Sequence, residues 1–245
     1  MVHSVYTLAE KPGLRNQIDQ LSGQAWPRFL LHGNVKKWHL LFEIFAPYQL
    51  IWCDAAGNLL AVGHSVPLVW DGSPAGLPST IDEILGRAEG AVASQQAPNT
   101  FSVLAAMVRP DQRGQHLSRA ILQAMRSLAQ QQACSALIAP VRPTWKSRYP
   151  LTPMERYVTW KRSDGMLFDP WLRVHERLGA RPLGIAPNTL TVVGTVKEWE
   201  EWTEMVFPET GRYVIPGALQ PVEIDCEQDR GCYADPNYWM VHWLG

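Results

Sequence analysis

The segment 101–141 constrains the fold more than any other part of this sequence. An apolar run at 101–108 leads through a polar turn into a helical pattern at 117–131, and a second apolar run follows at 135–141. The helical pattern rests on apolar residues that recur on one helix face: Leu117, Ile121, Ala124, Met125 and Leu128. A strand, a helix and a strand in this order predict two parallel strands joined by a right-handed crossover.

The segments around this unit predict further helices and strands. Before it, the sequence predicts helical structure at 12–31, broken at Pro27, and a helix at 35–45. It also predicts strands at 48–53 and 59–70 and a helix that begins near Thr80. After it, the sequence predicts a helix that begins at Asp169-Pro170 and ends at Gly179, then strands at 181–186 and 189–196 with Pro187-Asn188 between them. The fold class is therefore α/β, with a central mixed sheet flanked by helices.

The turn at 109–116 has the properties of an anion site. The first backbone N–H groups of a helix have no partner within the helix, and the helix dipole adds positive charge there. Gly114 lets the backbone approach a ligand closely, and Arg113 adds a donor fork suited to phosphate. Most helix ends of this kind bind nothing, so the turn by itself leaves both alternatives open.

Two strings in the sequence resemble one known family. The string VRPDQRGQHLSRAIL, Val108–Leu122, resembles motif A of the Gcn5-related N-acetyltransferases, in which Arg or Gln is followed by two residues, Gly, any residue, and Gly or Ala. His116 then stands at the first Gly position and Ser118 at the small final position. The string WLRVHERLGA, Trp171–Ala180, resembles the fourth helix of that family, and the order of elements over about 12–196 agrees with it.

The resemblance implies a site for acetyl-CoA along the turn. The pyrophosphate and pantetheine would be held by Val108 and by six consecutive residues: Arg113, Gly114, Gln115, His116, Leu117 and Ser118. The thioester would lie where the parallel strands 101–108 and 135–141 splay apart, and the acceptor amine would attack its carbonyl directly. His116 is expected to contact the cofactor, and Ser118 to donate to the pyrophosphate.

Two histidines are candidates for proton transfer. His175 falls where the family commonly has a Tyr that acts as general acid, and imidazole has a pKa suited to either direction of transfer. His175 also shares the apolar face of its predicted helix with Trp171, whereas Glu176 is predicted to face solvent. His64, on the second strand of the hairpin, is the other candidate. For each histidine, a structural position in the core is the alternative.

The composition excludes several classes of protein. There are 22 Lys and Arg against 23 Asp and Glu, a net charge of −1, so no overall field favours nucleic acid or an anionic membrane. No apolar run reaches the roughly 18 residues of a membrane helix, and the N-terminus lacks the apolar core of a signal peptide. Cys53 and Cys134 lie in apolar runs and are predicted to be buried thiols, while Cys226 and Cys232 lack the neighbouring ligands of a metal site. We therefore expect a cytoplasmic protein without a metal.

The charges are unevenly placed along the chain. Ten of the 23 acids lie between Glu198 and Asp235, and the segment 142–162 is basic. Two solvated surfaces of opposite sign would explain this pattern. Alternatively, the acceptor lies between the hairpin, the insertion 142–168 and the tail, where acids such as Asp225 and Asp229 would receive a cationic amine. The cluster of late tryptophans would either wall such a pocket or fill the core, and we favour the core.

Two functional hypotheses follow from these patterns. The first is an enzyme that transfers an acetyl or short acyl group from acyl-CoA to the primary amine of a small molecule. The second is a catalytically silent CoA-binding, regulatory or partner module of the same fold. In either case 1–196 is predicted to form the acyltransferase-like domain, with 197–245 packed on it as a C-terminal extension, and a homodimer is left open.

Overall fold

A computed structural model describes residues 4–245 of the chain. The helices are α1 (Arg15–Ala25), α2 (Ile81–Ala93), α3 (Leu117–Gln131), α4 (Met154–Tyr157), α5 (Pro170–Arg177) and α6 (Val196–Thr203). The strands are β1 (Ser4–Thr7), β2 (Gln49–Cys53), β3 (Leu59–Leu68), β4 (Thr100–Val108), β5 (Ala136–Val141), β6 (Arg181–Gly194), β7 (Gly211–Tyr213), β8 (Val222–Asp225) and β9 (Arg230–Trp243). These elements form two compact units. The first comprises residues 4–25, 36–139 and 240–245, and the second comprises 26–35 and 140–239.

The sheet of the first unit has the strand order β1–β2–β3–β4–β5. Neighbouring strands are antiparallel except β4 and β5, which are parallel. Every residue of β2 and β3 is buried, as is typical of strands covered on both faces. Helix α3 packs very close to β3, because a Cβ added at Gly63 would lie 2.5 Å from Met125 Cε and 2.7 Å from Ile121 Cγ2. The predicted mixed sheet flanked by helices is confirmed.

The helices α2 and α3 begin where their sequences predict. Thr80 caps α2, and its side chain accepts a hydrogen bond from the backbone N–H of Glu83. Helix α3 occupies the predicted range, with Leu117, Ile121 and Met125 buried on one face. Among residues 4–245, no helix combines the length and the apolarity needed to cross a membrane.

The first segment predicted before the hairpin is helical and breaks at Pro27, as the sequence predicts. The range 12–31 contains α1, followed by a separate 3-10 turn at Arg28–His32, because Pro27 cannot supply a backbone N–H to continue the helix. The helix predicted at 35–45 is wrong, since this stretch forms only a 3-10 turn. Its backbone N–H groups bond three residues back, from Leu40 to the Lys37 carbonyl and from Glu43 to the Leu40 carbonyl. The N–H groups of Lys36 and Lys37 donate to the Asp82 carboxylate at 3.1 and 3.0 Å, which ties the segment to α2.

The strand pair predicted after α5 is also wrong. The structure has one long strand, β6, which runs through Pro187 and Asn188 and pairs with β9. A Pro-Asn pair commonly marks a turn, but proline is tolerated in a strand wherever its missing N–H is not needed. After β6 the chain enters α6 through a capping box formed by Thr195 and Glu198.

The C-terminal segment supplies much of the second unit. It contains α6, β7, β8 and β9, and the strands β7, β8 and β9 are joined by antiparallel pairing. The core of this unit packs Trp199, fully buried, between Phe29 and Trp202 at ring-centroid distances of 5.7 and 5.2 Å. Trp199 therefore belongs to the core, as predicted.

Asp169 organises the insertion 142–168 as well as the start of α5. Its carboxylate accepts backbone hydrogen bonds from Trp171 and Leu172, the helix start that the sequence predicts. It also accepts from the backbone N–H of Trp145 at 2.7 Å and from the Tyr157 hydroxyl at 2.8 Å. One buried carboxylate thus holds a helix, a loop and an aromatic side chain together.

Candidate functional site

The parallel strands β4 and β5 separate partway along their length. Their ladder consists of three pairs, Thr100↔Ala136, Phe101↔Leu137 and Ser102↔Ile138. Strand β4 continues to Val108 with β3 as its partner. From Val103 onward its other edge therefore has no strand partner within the first unit, and an extended ligand could take that place in the ladder.

A β-bulge lies directly beyond the point of separation. His64 pairs with Ala105 and Ser65 pairs with Val103, so Leu104 has no opposite residue on β3. Bulges bend a strand and leave a residue of the bulged strand unpaired, and they are common next to active sites. The bulge and the end of the β4–β5 ladder thus fall on the same stretch of β4.

The turn between β4 and α3 wraps its backbone around one point. Gly114 and His116 both have positive φ, 84° and 60°, and Leu117 begins the helix. The backbone N–H groups of Arg119 and Ala120 both donate to the His116 carbonyl. The N–H groups of Leu117 and Ser118 precede these, so the helix offers them no acceptor. Such alternating backbone forms a concave site for an anion.

The conformation of His116 explains why the related family has glycine at this position. His116 is at φ 60° and ψ 14°, in the left-handed region that glycine enters without strain. A residue with a side chain pays about 1 kcal/mol or more for this conformation. A left-handed residue thus stands at the position where the sequence resemblance expects a glycine.

The N-terminal end of α3 carries an excess of positive charge. The carboxylate of Asp111 accepts two hydrogen bonds from Arg109, at 2.6 and 3.0 Å, and one from Gln112. These bonds hold the pKa of Asp111 below its usual value. Arg113 and Arg119 are exposed, and neither belongs to an ion pair with any of residues 4–245. Sequence reasoning singled out Arg113 but missed Arg119, which lies in the first turn of α3.

All seven residues predicted to hold the cofactor lie within this turn and its flanks. Arg113, Gly114, Gln115 and His116 are exposed, Val108 and Ser118 are half-buried, and Leu117 is buried in the core. Leu117 can therefore contribute its backbone N–H but not its side chain.

His64 is fully buried, and its tautomer is fixed by Gln49. Nδ1 of His64 lies 2.9 Å from Gln49 Oε1. The Gln49 amide nitrogen donates to the carbonyl oxygens of Phe45 at 2.6 Å and Ser65 at 3.0 Å, so its oxygen must face the imidazole. Because that oxygen can only accept, Nδ1 carries the proton and Nε2 carries the lone pair.

The lone pair of His64 lies in apolar surroundings. Nε2 is buried and has no hydrogen-bond partner among residues 4–245. The rings of Trp38 and Phe42 pack against the imidazole at centroid distances of 5.6 and 5.7 Å. Burial, reinforced by the charge of Arg15, lowers the pKa of His64 to about 3. His64 is therefore neutral at physiological pH and suited to accept a hydrogen bond rather than to store a proton.

His175 lies on α5, in the second unit, and is also buried. Its ring packs edge-on against Trp171 at a centroid distance of 4.6 Å. The helix ends as predicted, with Gly179 at φ 84° and the N–H of Ala180 donating to the His175 carbonyl. Both ends of α5 are thus fixed, which holds the histidine in one place.

The prediction that Glu176 faces solvent is wrong. Its carboxylate accepts a hydrogen bond from the backbone N–H of Leu167 at 2.8 Å and lies 3.4 Å from Lys161 Nζ. Its side chain is 27% exposed. Glu176 ties α5 to the insertion, a contact between distant segments that helical spacing cannot predict.

The acids proposed to receive an amine have structural partners. Asp225 accepts hydrogen bonds from the backbone N–H groups of Glu227 and Gln228, and Asp229 accepts one from Val196. Within the basic segment, Arg142 forms a buried ion pair with Asp235 at 3.0 Å. The two oppositely charged segments therefore meet each other in the second unit.

The cysteines lie as the sequence predicts. Cys53 and Cys134 are buried free thiols, and burial raises the pKa of each, that of Cys134 to about 11. Within the part of the chain that the structure describes, no three His, Cys, Asp or Glu side chains form a group that could hold a metal ion.

Comparison with known proteins identifies the family. No protein-family model matches the chain. The arginine N-acetyltransferase avaD of Aspergillus versicolor is 31% identical over 276 aligned positions, which cover 98% of this chain and 93% of that protein. The loading GNATL domain of CurA from Lyngbya majuscula has a TM-score of 0.61 at 15% identity, covering 100% of this chain and 98% of that one. The GphF GNAT-like decarboxylase, solved with isobutyryl-CoA, has a TM-score of 0.60 at 16% identity, with both chains fully covered. The chain belongs to the Gcn5-related N-acetyltransferase superfamily and is an enzyme that transfers an acyl group to an amine.

Proposed function

We propose that the chain transfers an acetyl group from acetyl-CoA to the amine of a small molecule by direct attack on the thioester. The proposal rests on two features of β4. Beyond Ser102 one edge of the strand is free of a strand partner in the first unit, and after Val108 the chain enters the positively charged turn at 109–118, which we call the anion cradle. An acyl-CoA has a matching order of groups: a thioester, an amide-containing arm and a pyrophosphate. The acyl donor supplies an activated carbonyl, and the chain supplies the means to hold it.

The cradle residues fit a pyrophosphate. The backbone N–H groups from Gly114 to Ser118 would donate to its oxygens, as helix N-termini do for phosphates generally. The backbone N–H of Arg113 donates to the Pro110 carbonyl, so Arg113 would contribute its side chain. Arg113 and Arg119 are free of acidic partners among residues 4–245 and would add charge-assisted hydrogen bonds. Val108 would donate from the end of β4, and His116 and Ser118 would contact the same ligand with their side chains.

The free edge of β4 fits the amide-containing arm. Between Val103 and Val108 the backbone offers donors and acceptors that no neighbouring strand of the first unit uses. An amide-bearing ligand pairs with such an edge as an added strand does. The bulge at Leu104 would then mark the level of the thioester.

We propose that His64 positions the acceptor amine and that His175 transfers the proton. In the reaction a C–N bond forms, the C–S bond breaks, one proton leaves the amine nitrogen and the thiolate gains one. The neutral Nε2 of His64 would accept an N–H of the uncharged amine and so orient its lone pair toward the carbonyl. His175 would take the proton from nitrogen and return one to sulfur, as the family resemblance implies.

Arginine is the acceptor to test first. The relative that is 31% identical over nearly the whole chain bears the name of an arginine N-acetyltransferase, and a small amine was already the class expected from the sequence. The experiment measures CoA thiol release from acetyl-CoA with arginine, with the other amino acids and with amines that lack a carboxylate. Turnover with one of these amines supports the proposal. If the folded protein releases thiol with none of them, and acetyl-CoA does not raise its melting temperature, the proposal is wrong.

The two histidines are separated by their kinetic effects. We expect His175→Gln to lower kcat by about 100-fold or more, the usual contribution of general acid–base catalysis, with little change in KM for acetyl-CoA. His64→Phe should raise KM for the amine and leave KM for acetyl-CoA unchanged. His39→Gln, at an exposed histidine of the first unit, is the matched control and should change neither.

A further inference from the structure

A cavity of about 420 Å³ lies wholly within the second unit. Its walls come from the insertion, from β6 and from the segments before β8 and within β9. They include five prolines: Pro150, Pro153, Pro187, Pro221 and Pro236. Proline fixes its own backbone, so these walls lose little conformational freedom when a ligand binds. The cavity is therefore preformed and of a size that suits a small organic molecule.

A buried ammonium group lies in the cavity wall. Lys146 is 1% exposed, and its Nζ donates to the carbonyl oxygens of Tyr149, at 2.9 Å, and Leu219. An ammonium has three N–H donors, so one remains after these two bonds. Leu219 and Lys146 both line the cavity, so the cavity provides the space for a partner of the third donor.

No carboxylate among residues 4–245 forms an ion pair with this ammonium. Glu155 lines the same cavity but is exposed, and its charge offsets only part of the effect of burial, which lowers the pKa of Lys146 to about 8. The Tyr157 ring lies 5.8 Å from Nζ and contributes a weaker attraction. A buried charge held only by carbonyl oxygens and a ring is costly, and an anion in the cavity would offset that cost.

The other residues that line the cavity indicate what kind of ligand would fit. Met154 and Leu219 are buried apolar lining residues, and Ile185 beside them is half-buried. The carboxylate of Glu155 also lines the cavity, but Glu155 is exposed. Gln220 is half-buried, and one of its two amide N–H groups donates to the Ala234 carbonyl, so Lys146 is the fully buried donor of the lining. Arg212 at the rim is largely exposed and lies 4.0 Å from Glu223. One buried donor in an apolar cavity suits a singly charged anion better than a phosphate dianion.

We propose that this cavity binds a small organic molecule through its carboxylate, which accepts the third N–H of Lys146 while the apolar part of the molecule packs against the proline walls. The inference concerns ligand binding in the second unit and does not depend on acyl transfer.

The test uses two probes of one shape, 4-methylpentanoate and 4-methylpentanamide, titrated into the full-length protein by calorimetry and by ligand-observed NMR. The amide lacks the charge, so we expect it to bind about tenfold more weakly or worse than the carboxylate. Lys146→Met should abolish the preference, whereas Lys197→Met, at an exposed lysine of α6, should leave it unchanged. Inorganic phosphate should not compete with the carboxylate.

A further variant covers the case in which Lys146→Met does not fold. Thr152→Phe places a ring in the cavity from its wall and leaves both carbonyl partners of Lys146 in place, and we expect it to block the carboxylate. The proposal is overturned if the wild-type protein binds neither probe, if it binds both equally, or if phosphate displaces the carboxylate.

Discussion

The buried, neutral state of His64 has a measurable consequence for stability. In the folded protein the pKa of His64 is lowered to about 3, whereas a histidine in the unfolded chain has a pKa near 6.5. Between pH 6.5 and pH 3, His64 therefore binds a proton in the unfolded chain but not in the folded protein. The free energy of unfolding accordingly decreases as the pH falls through this range. At about pH 5 this proton costs the folded state about 2 kcal/mol, and at about pH 7.5 it costs close to nothing.

The assay is urea unfolding of the wild type and of His64→Phe at about pH 7.5 and about pH 5. Other ionisable groups contribute equally to both proteins, so the difference between their unfolding free energies isolates His64. We expect this difference to shift by about 2 kcal/mol in favour of the variant at the lower pH. His39→Gln is the control, and its difference from the wild type should stay constant within about 0.5 kcal/mol.

A difference between wild type and His64→Phe that does not change with pH would refute the reasoning. It would mean that His64 gains its proton in the folded protein as readily as in the unfolded chain. The fixed tautomer and the free lone pair at Nε2, on which the proposed role at the amine rests, would then be wrong.

Three further predictions address the turn and the insertion. His116→Gly should raise the unfolding free energy by about 1 kcal/mol in thermal or urea unfolding, because it relieves the left-handed strain; an unchanged or lower stability would contradict this. Arg113→Gln and Arg119→Gln should each raise KM for acetyl-CoA by about three- to tenfold, and the effect should be smaller at high salt. An unchanged KM for acetyl-CoA in both variants would show that neither arginine binds the cofactor. Asp169→Ala should lower the melting temperature by roughly 6–12 °C, because it leaves several buried donors without an acceptor, at a total cost of about 3 kcal/mol. Asp164→Ala, at an exposed aspartate, should change the melting temperature little.

The part of the fold that local patterns control was predictable from the sequence. The periodicity of Leu117, Ile121 and Met125 fixed α3, and the capping residues Thr80 and Asp169 fixed the starts of two other helices. These signals act within one or two turns of chain, so they survive in any tertiary context.

The errors arose where distant residues decide the local structure. The segment predicted as a helix at 35–45 forms only a 3-10 turn and is tied to α2 by the bonds from the N–H groups of Lys36 and Lys37 to Asp82. Pairing with β9 keeps β6 extended through Pro187 and Asn188, a pair that commonly forms a turn. In both cases contacts with distant residues accompany the departure from the local preference.

The candidate site also has a part that local sequence predicts and a part that depends on distant contacts. The cradle was predictable because its residues are contiguous, and its one discordant residue, His116, became understandable once its φ was known. Gln49 was missed because it reaches His64 only through the register of β2 and β3. The burial of Lys146 within a segment that looked basic and solvated was likewise beyond what composition indicates.

Tracing the acyl group tests the central claim most directly. The enzyme is incubated with acetyl-CoA that carries 13C at the carbonyl and with the amine that gives the fastest thiol release, and the products are followed by NMR and mass spectrometry. The account predicts that the label appears in an amide on the acceptor nitrogen, one equivalent for each thiol released. Label found only in free acetate, or only on the protein, would contradict it.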